Sequence, residues 1–119
     1  MSDDDSEDTI FHKIMRKEIS SKFLYEDDDL FVIRDITPAG PIHLLVIPKK
    51  TIPTANALTP ADDALVGKMV RVARDLAEEN GVSESGYRLV MNCGEDGGQT
   101  VYQLHLHMIG GRGLHWPPG

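Results

Sequence analysis

Two imidazoles two residues apart, His105 and His107, stand in the run from Thr100 to Gly111 that reads Thr-Val-Tyr-Gln-Leu-His-Leu-His-Met-Ile-Gly-Gly. Strict alternation through its middle predicts an extended strand, with Gln103, His105 and His107 on one side and Leu104, Leu106 and Met108 on the other. Residues two apart on a strand are roughly 7 Å apart and point the same way, so the two rings and the amide would share one patch. Three uses of such a pair are open. The histidines can be half-exposed strand residues with no joint task. They can be two metal ligands, with His43, His115 or Asp35 completing a tetrahedral set. Or one imidazole, uncharged near neutrality with its ordinary pKa of about 6.5, can attack a phosphorus or carbonyl centre. No third and fourth ligand occurs at local spacing, so neither a metal nor another cofactor is expected.

The segment just upstream favours an anionic guest. Gly97 and Gly98 permit close approach of the backbone to a ligand, and successive N–H groups in such a turn form an anion-binding concavity. Asn92 before the turn and Thr100 after it add neutral donors, which hold phosphate oxygens without charging a nearby nucleophile. A plain hairpin loop would carry the same glycines.

The elements that must position these groups can be read in order. Thr9 is placed to cap a short helix carrying Ile10, Phe11, Ile14 and Met15 and ending near Lys17 or Glu18. Phe23–Glu26 and Leu30–Asp35 read as a hairpin joined at Asp27-Asp28-Asp29. After the breaker-rich Thr37–Pro41, Ile42–Pro48 reads as a strand apolar on both faces, hence central, with His43 as its polar intruder. Thr51 to Thr59 reads as a loop; Pro60 opens a long helix with Leu65, Met69, Val72 or Ala73 and Leu76 at helical spacing, stopped by Asn80-Gly81. Tyr87–Asn92 is the next strand. The sum is an α+β fold, a five-stranded antiparallel sheet with two helices, both expected on one face.

With 119 residues the chain forms one domain large enough to bury its own core. Its lone cysteine, Cys93, makes no internal disulfide and fits a reducing compartment. The net charge of −7 is concentrated in residues 1–8, which hold five acidic side chains and no basic ones. They read as a disordered acidic tail, with residues 9–119 as the folded domain. No basic patch suits nucleic acid, and no apolar run suits a signal peptide or a membrane span, so a cytoplasmic protein is expected.

The run Gln103-Leu104-His105-Leu106-His107-Met108-Ile109 resembles the motif of the histidine triad superfamily, His-φ-His-φ-His-φ-φ with φ apolar, its first histidine replaced by glutamine. The resemblance extends from about Asp8 to the C-terminus. It includes Asp8–Phe11, Arg16–Ile19, Val46–Lys50, Gly86–Arg88, Asp96–Gln99 and Gly110–Arg112, and the ending His115-Trp116-Pro117-Pro118-Gly119 is similar to the Hint branch in particular.

This resemblance implies a homodimer that binds purine nucleoside monophosphates and hydrolyses nucleoside 5'-phosphoramidates. His105 would be the nucleophile and His107 a phosphate hydrogen-bond donor, with Thr100, Asn92, the Gly98 amide and Val101 around the phosphate. Asp35 would hold the ribose hydroxyls, and Ile10, Phe11, Ile14, Ile33 and Ile36 would line the purine slot. Trp116 would either cover its own sheet or reach the partner's site and influence substrate choice. Gln103, with His43 as a possible partner behind the pair, cannot titrate near neutrality, so slower turnover or a shifted pH profile is expected. Loss of turnover, leaving a nucleotide-binding or interaction module, is the alternative.

Overall fold

The computed structural model describes residues 8–119. Of the expected acidic tail only Asp8 falls among them, and its carboxylate pairs with Arg16 at 2.7 Å; residues 1–7 lie outside the described residues.

Helix α1, Ile10–Met15, is fixed by local chemistry at both ends. The Thr9 hydroxyl accepts from the Phe11 N–H at 3.1 Å and the His12 N–H at 3.4 Å, while the Thr9 N–H donates back to His12 Nδ1 at 3.0 Å. This is a capping box with histidine in the returning position. The helix ends earlier than expected because Lys17 turns left-handed, φ 63°. The Lys17 N–H then reaches Ile14 O at 2.9 Å and the Glu18 N–H reaches Lys13 O at 2.9 Å, a closing motif more often built on glycine.

Strands β1 (Tyr25–Glu26) and β2 (Leu30–Arg34) form the hairpin, each shorter than the sequence suggested. Asp27 organises its turn, accepting from the Asp29 N–H at 2.8 Å and the Leu30 N–H at 3.0 Å. Strand β3 spans Ile42–Pro48 as expected. The stretch read as loop contains one 3-10 turn, Ala55–Ala57, and Pro60 opens a second, Pro60–Asp62, directly before helix α2, Asp63–Glu79. Asn80 caps that helix and Gly81 leaves it at φ 74°. Strands β4 (Tyr87–Val90) and β5 (Leu106–Gly110) complete an antiparallel sheet of order β1-β2-β3-β5-β4, with β3 in the middle.

The helices lie on opposite faces of this sheet, not on one. Leu30, Val32, Leu44, Val46, Leu106 and Met108 pack with Met69, Val72, Ala73 and Leu76 of α2. The alternate residues Phe31, Ile33, Leu45 and Ile47 pack with Phe11 and Ile14 of α1. The cause is visible in β2 and β3: consecutive apolar residues need cover on both sides, and each fully buried aliphatic or aromatic side chain contributes roughly 1.5–3 kcal/mol. Among the described residues no helix is long and apolar enough to cross a membrane.

Candidate active site

A cavity of about 400 Å³ opens beside α1, next to the end of β2, the start of β5 and the glycine turn. His105, His107, Thr100, Asn92, Gly98, Val101, Asp35, Ile10, Phe11, Ile14, Ile33 and Ile36 all line it. Ile19, Ser20, Ser21, Arg34 and Leu45 also line it and were not singled out in the sequence. The loop serines give no periodic signal; Ile19 stood inside a quoted motif. A second cavity of similar size, about 410 Å³, lies away from the histidines. Its lysines are paired, Lys68 with Asp27 and Asp29 and Lys50 with Asp62.

The strand carrying the motif begins later than expected, at Leu106. Leu104, Leu106 and Met108 still enter the α2 core, and His105 and His107 still share the cavity, but Gln103 leaves their side. It is 1% exposed and its carboxamide turns toward main chain: Oε1 accepts from the Ile52 N–H at 3.0 Å, and Nε2 donates to Pro48 O at 3.0 Å and Lys50 O at 2.8 Å. The expected pairing of Gln103 with His43 is therefore replaced. All the hydrogen-bonding groups of that amide are engaged elsewhere.

The ring protons follow from these partners. His105 Nδ1 lies 2.7 Å from the Gln103 main-chain carbonyl, which can only accept, so Nδ1 carries the proton and Nε2 the lone pair. The Ala39 N–H donates to His43 Nδ1 at 2.9 Å, which puts the His43 proton on Nε2. That N–H donates to His107 Nδ1 at 2.9 Å, leaving the His107 proton on Nε2. His107 Nε2 is buried without a partner among the described residues, on a ring that lines the cavity. One ring offers a lone pair and the other a donor.

Burial pushes the His105 pKa below its ordinary value, against the opposing pull of the Gln103 carbonyl and Asp35. Burial, reinforced by the neighbouring His105 and His43, brings His107 down to about 4. His43 is lowered by burial too, with Asp35 acting the other way. The unfolded chain thus takes up a proton near pH 6.5 that folded His107 refuses until about 4, so its stabilisation, complete above 6.5, is lost as pH falls through that window. Urea midpoints are expected to drop between pH 7 and pH 4, and less so in His107→Ala; equal slopes in the two proteins would exclude His107 as a cause.

Donor atoms of Asp35, His43 and His107 lie within 4.8 Å of one another, a set that could attract a cation. The Ala39 hydrogen bond opposes this, because His43 Nε2 must keep its proton and a protonated nitrogen offers no lone pair to a metal. His115 is exposed and outside the set.

Other supports lay beyond the sequence signals. Asp35 Oδ1 accepts from the Thr37 N–H at 2.8 Å, and Oδ2 stands 3.4 Å from His43 Nε2. Gln99, 6% exposed, shapes the glycine turn by accepting from the Gly94 N–H at 2.9 Å and donating to Pro53 O at 2.8 Å. The Gly98 N–H, expected to face phosphate, donates instead to Glu95 O at 3.0 Å; what Gly98 provides is a left-handed bend, φ 84°, beside Asn92. His12, 5% exposed, links α1 to Thr51 Oγ1 at 3.1 Å. Its Thr-x-x-His spacing was the available clue. Phe11 meets the His105 ring edge-on at 5.0 Å, and Trp116 is 82% exposed, so it does not cover its own sheet.

Residues 8–114 match the family described as scavenger mRNA decapping enzyme C-terminal binding. The chain is 47% identical over 109 residues to the purine nucleoside phosphoramidase of Escherichia coli K12, covering 92% of each. Its fold superposes on a HIT family hydrolase from Legionella pneumophila with TM-score 0.92 and 46% identity, covering 94% of this chain and 100% of that one. A histidine triad nucleotide-binding protein from Candida albicans gives 0.78 and 27%, covering 92% and 83%. With its paired histidines on a shared cavity and these relatives along nearly its whole length, the chain belongs to the histidine triad family.

Proposed function

We propose that the protein is a hydrolase of purine nucleoside 5'-phosphoramidates. The observation that carries this reading is the hydrogen bond from His105 Nδ1 to the Gln103 carbonyl, which leaves Nε2 as a lone-pair nucleophile on the cavity wall. Likeness to the Escherichia coli phosphoramidase supports the choice of substrate. Nε2 attacks the α-phosphorus and the P–N bond to the amine breaks, its electron pair leaving on the nitrogen, which takes from solvent a proton that the water of the next step gives back. Water then attacks the nucleotidyl-imidazole, releasing the nucleoside monophosphate and restoring His105. The His107 Nε2–H donates to a phosphate oxygen as charge develops there. Asn92 and Thr100 hold further phosphate oxygens, Asp35 the ribose, and the Ile10, Phe11, Ile14, Ile33 and Ile36 side chains the purine.

The outer edge of β4, unpaired among the described residues, supports a homodimer, since exposed sheet edges are normally blunted or covered. The reading as a binding module without turnover rested on the missing first histidine, and Gln103 lies outside the cavity. Steady hydrolysis of adenosine 5'-phosphoramidate, undiminished by EDTA, is the expected result. Measurable AMP binding without any turnover would defeat the proposal.

A further inference from the structure

We propose that Gln103 is a positioning residue for His105, acting through the segment Pro48–Ile52 and never through the cavity. The inference rests on the reading of His105 as nucleophile. Residues 103–105 precede β5, so no strand ladder fixes the main chain that presents the Gln103 carbonyl to His105. Four hydrogen bonds take the ladder's place. Three involve the Gln103 carboxamide, which accepts from the Ile52 N–H and donates to Pro48 O and Lys50 O, and the fourth joins the Leu104 N–H to Ile52 O at 2.7 Å.

The receiving segment is itself anchored on both sides. Thr51 Oγ1 is bonded to His12 of α1, and Lys50 Nζ to Asp62 at the start of α2. Gln103 thereby ties the ring that attacks phosphorus to the segment that also steadies α1, whose Phe11 touches that ring edge-on. Glutamine is suited to the position because it offers two donors and a carbonyl at one centre. A neutral histidine offers one donor and one acceptor, and would leave one main-chain carbonyl without a partner.

The test compares Gln103→Met, which keeps the bulk and loses the bonds, with Gln103→His. In Gln103→Met, kcat on adenosine 5'-phosphoramidate is expected to fall by at least about tenfold, while AMP affinity stays within about threefold. The nitrogen-15 shifts of the His105 ring should change from the Nδ1–H form to a mixture of forms, and Gln103→His should fall between the two. A folded Gln103→Met protein with the native ring signature and kcat within about twofold of the parent overturns the proposal. If that variant does not fold, the same criteria apply to Gln103→His. The ring signature needs no turnover, so a parent protein inactive on phosphoramidates would refute the proposed function while this readout still decides the role of Gln103.

Discussion

Replacing His105 with alanine is expected to lower kcat by about 10⁴-fold or more, while AMP affinity falls by less than about tenfold. The asymmetry follows from what the ring contributes. In the ground state it gives one edge contact to Phe11 and part of a cavity wall that many other residues share. In the reaction it supplies the only bond formed to phosphorus in the first step. No neighbour can substitute, because the His107 lone pair on Nδ1 is taken by the His43 N–H and its other nitrogen bears a proton. Rapid-quench trapping with nucleotide-labelled substrate should tag the parent protein and leave the variant blank. A variant that retained more than about a hundredth of the activity would place the nucleophile elsewhere.

His107→Ala should reduce kcat by about 10²–10³-fold, the usual cost of removing one donor aimed at developing charge. Here the donor is held in place: the Ala39 N–H orients His43, and His43 orients His107, so Nε2–H is buried without a partner among the described residues, on a ring that lines the cavity. A water admitted by the truncation can donate to the same oxygen but arrives without that orientation. Because the ring stays neutral down to about pH 4, it acts as a dipole and not as a cation. Its removal should therefore lower the pH–rate profile without moving its limbs between pH 5 and 8. A shifted limb would mean that His107 titrates during turnover.

Much of this was legible in the sequence wherever the cause is local. Thr9 as a cap, Asn80-Gly81 as a stop, and β3 as a central strand all depend on residues within a turn or two of one another. The cavity-lining set was also legible, since the resemblance reaches from α1 to the glycine turn. What failed was long-range. That α1 and α2 flank the sheet on opposite sides was implicit in the doubly apolar β2 and β3, yet a helix's own pattern shows which of its faces is apolar and not which sheet face it covers. Gln103 was assigned to the histidine side by alternation; partners 51, 53 and 55 residues away drew it out of the strand. His12 carried no signal of its bond to Thr51, because that partner is 39 residues distant.

The two apolar clusters divide the work of the molecule unequally. The larger, on the α2 side, contains no residue of the cavity wall, whereas Phe11, Ile14, Ile33 and Leu45 of the smaller one all touch it. Selection for a different base or sugar can therefore act on one side of the sheet while the other continues to hold the chain together. A fold arranged in this way can diversify its ligands without first surrendering its shape.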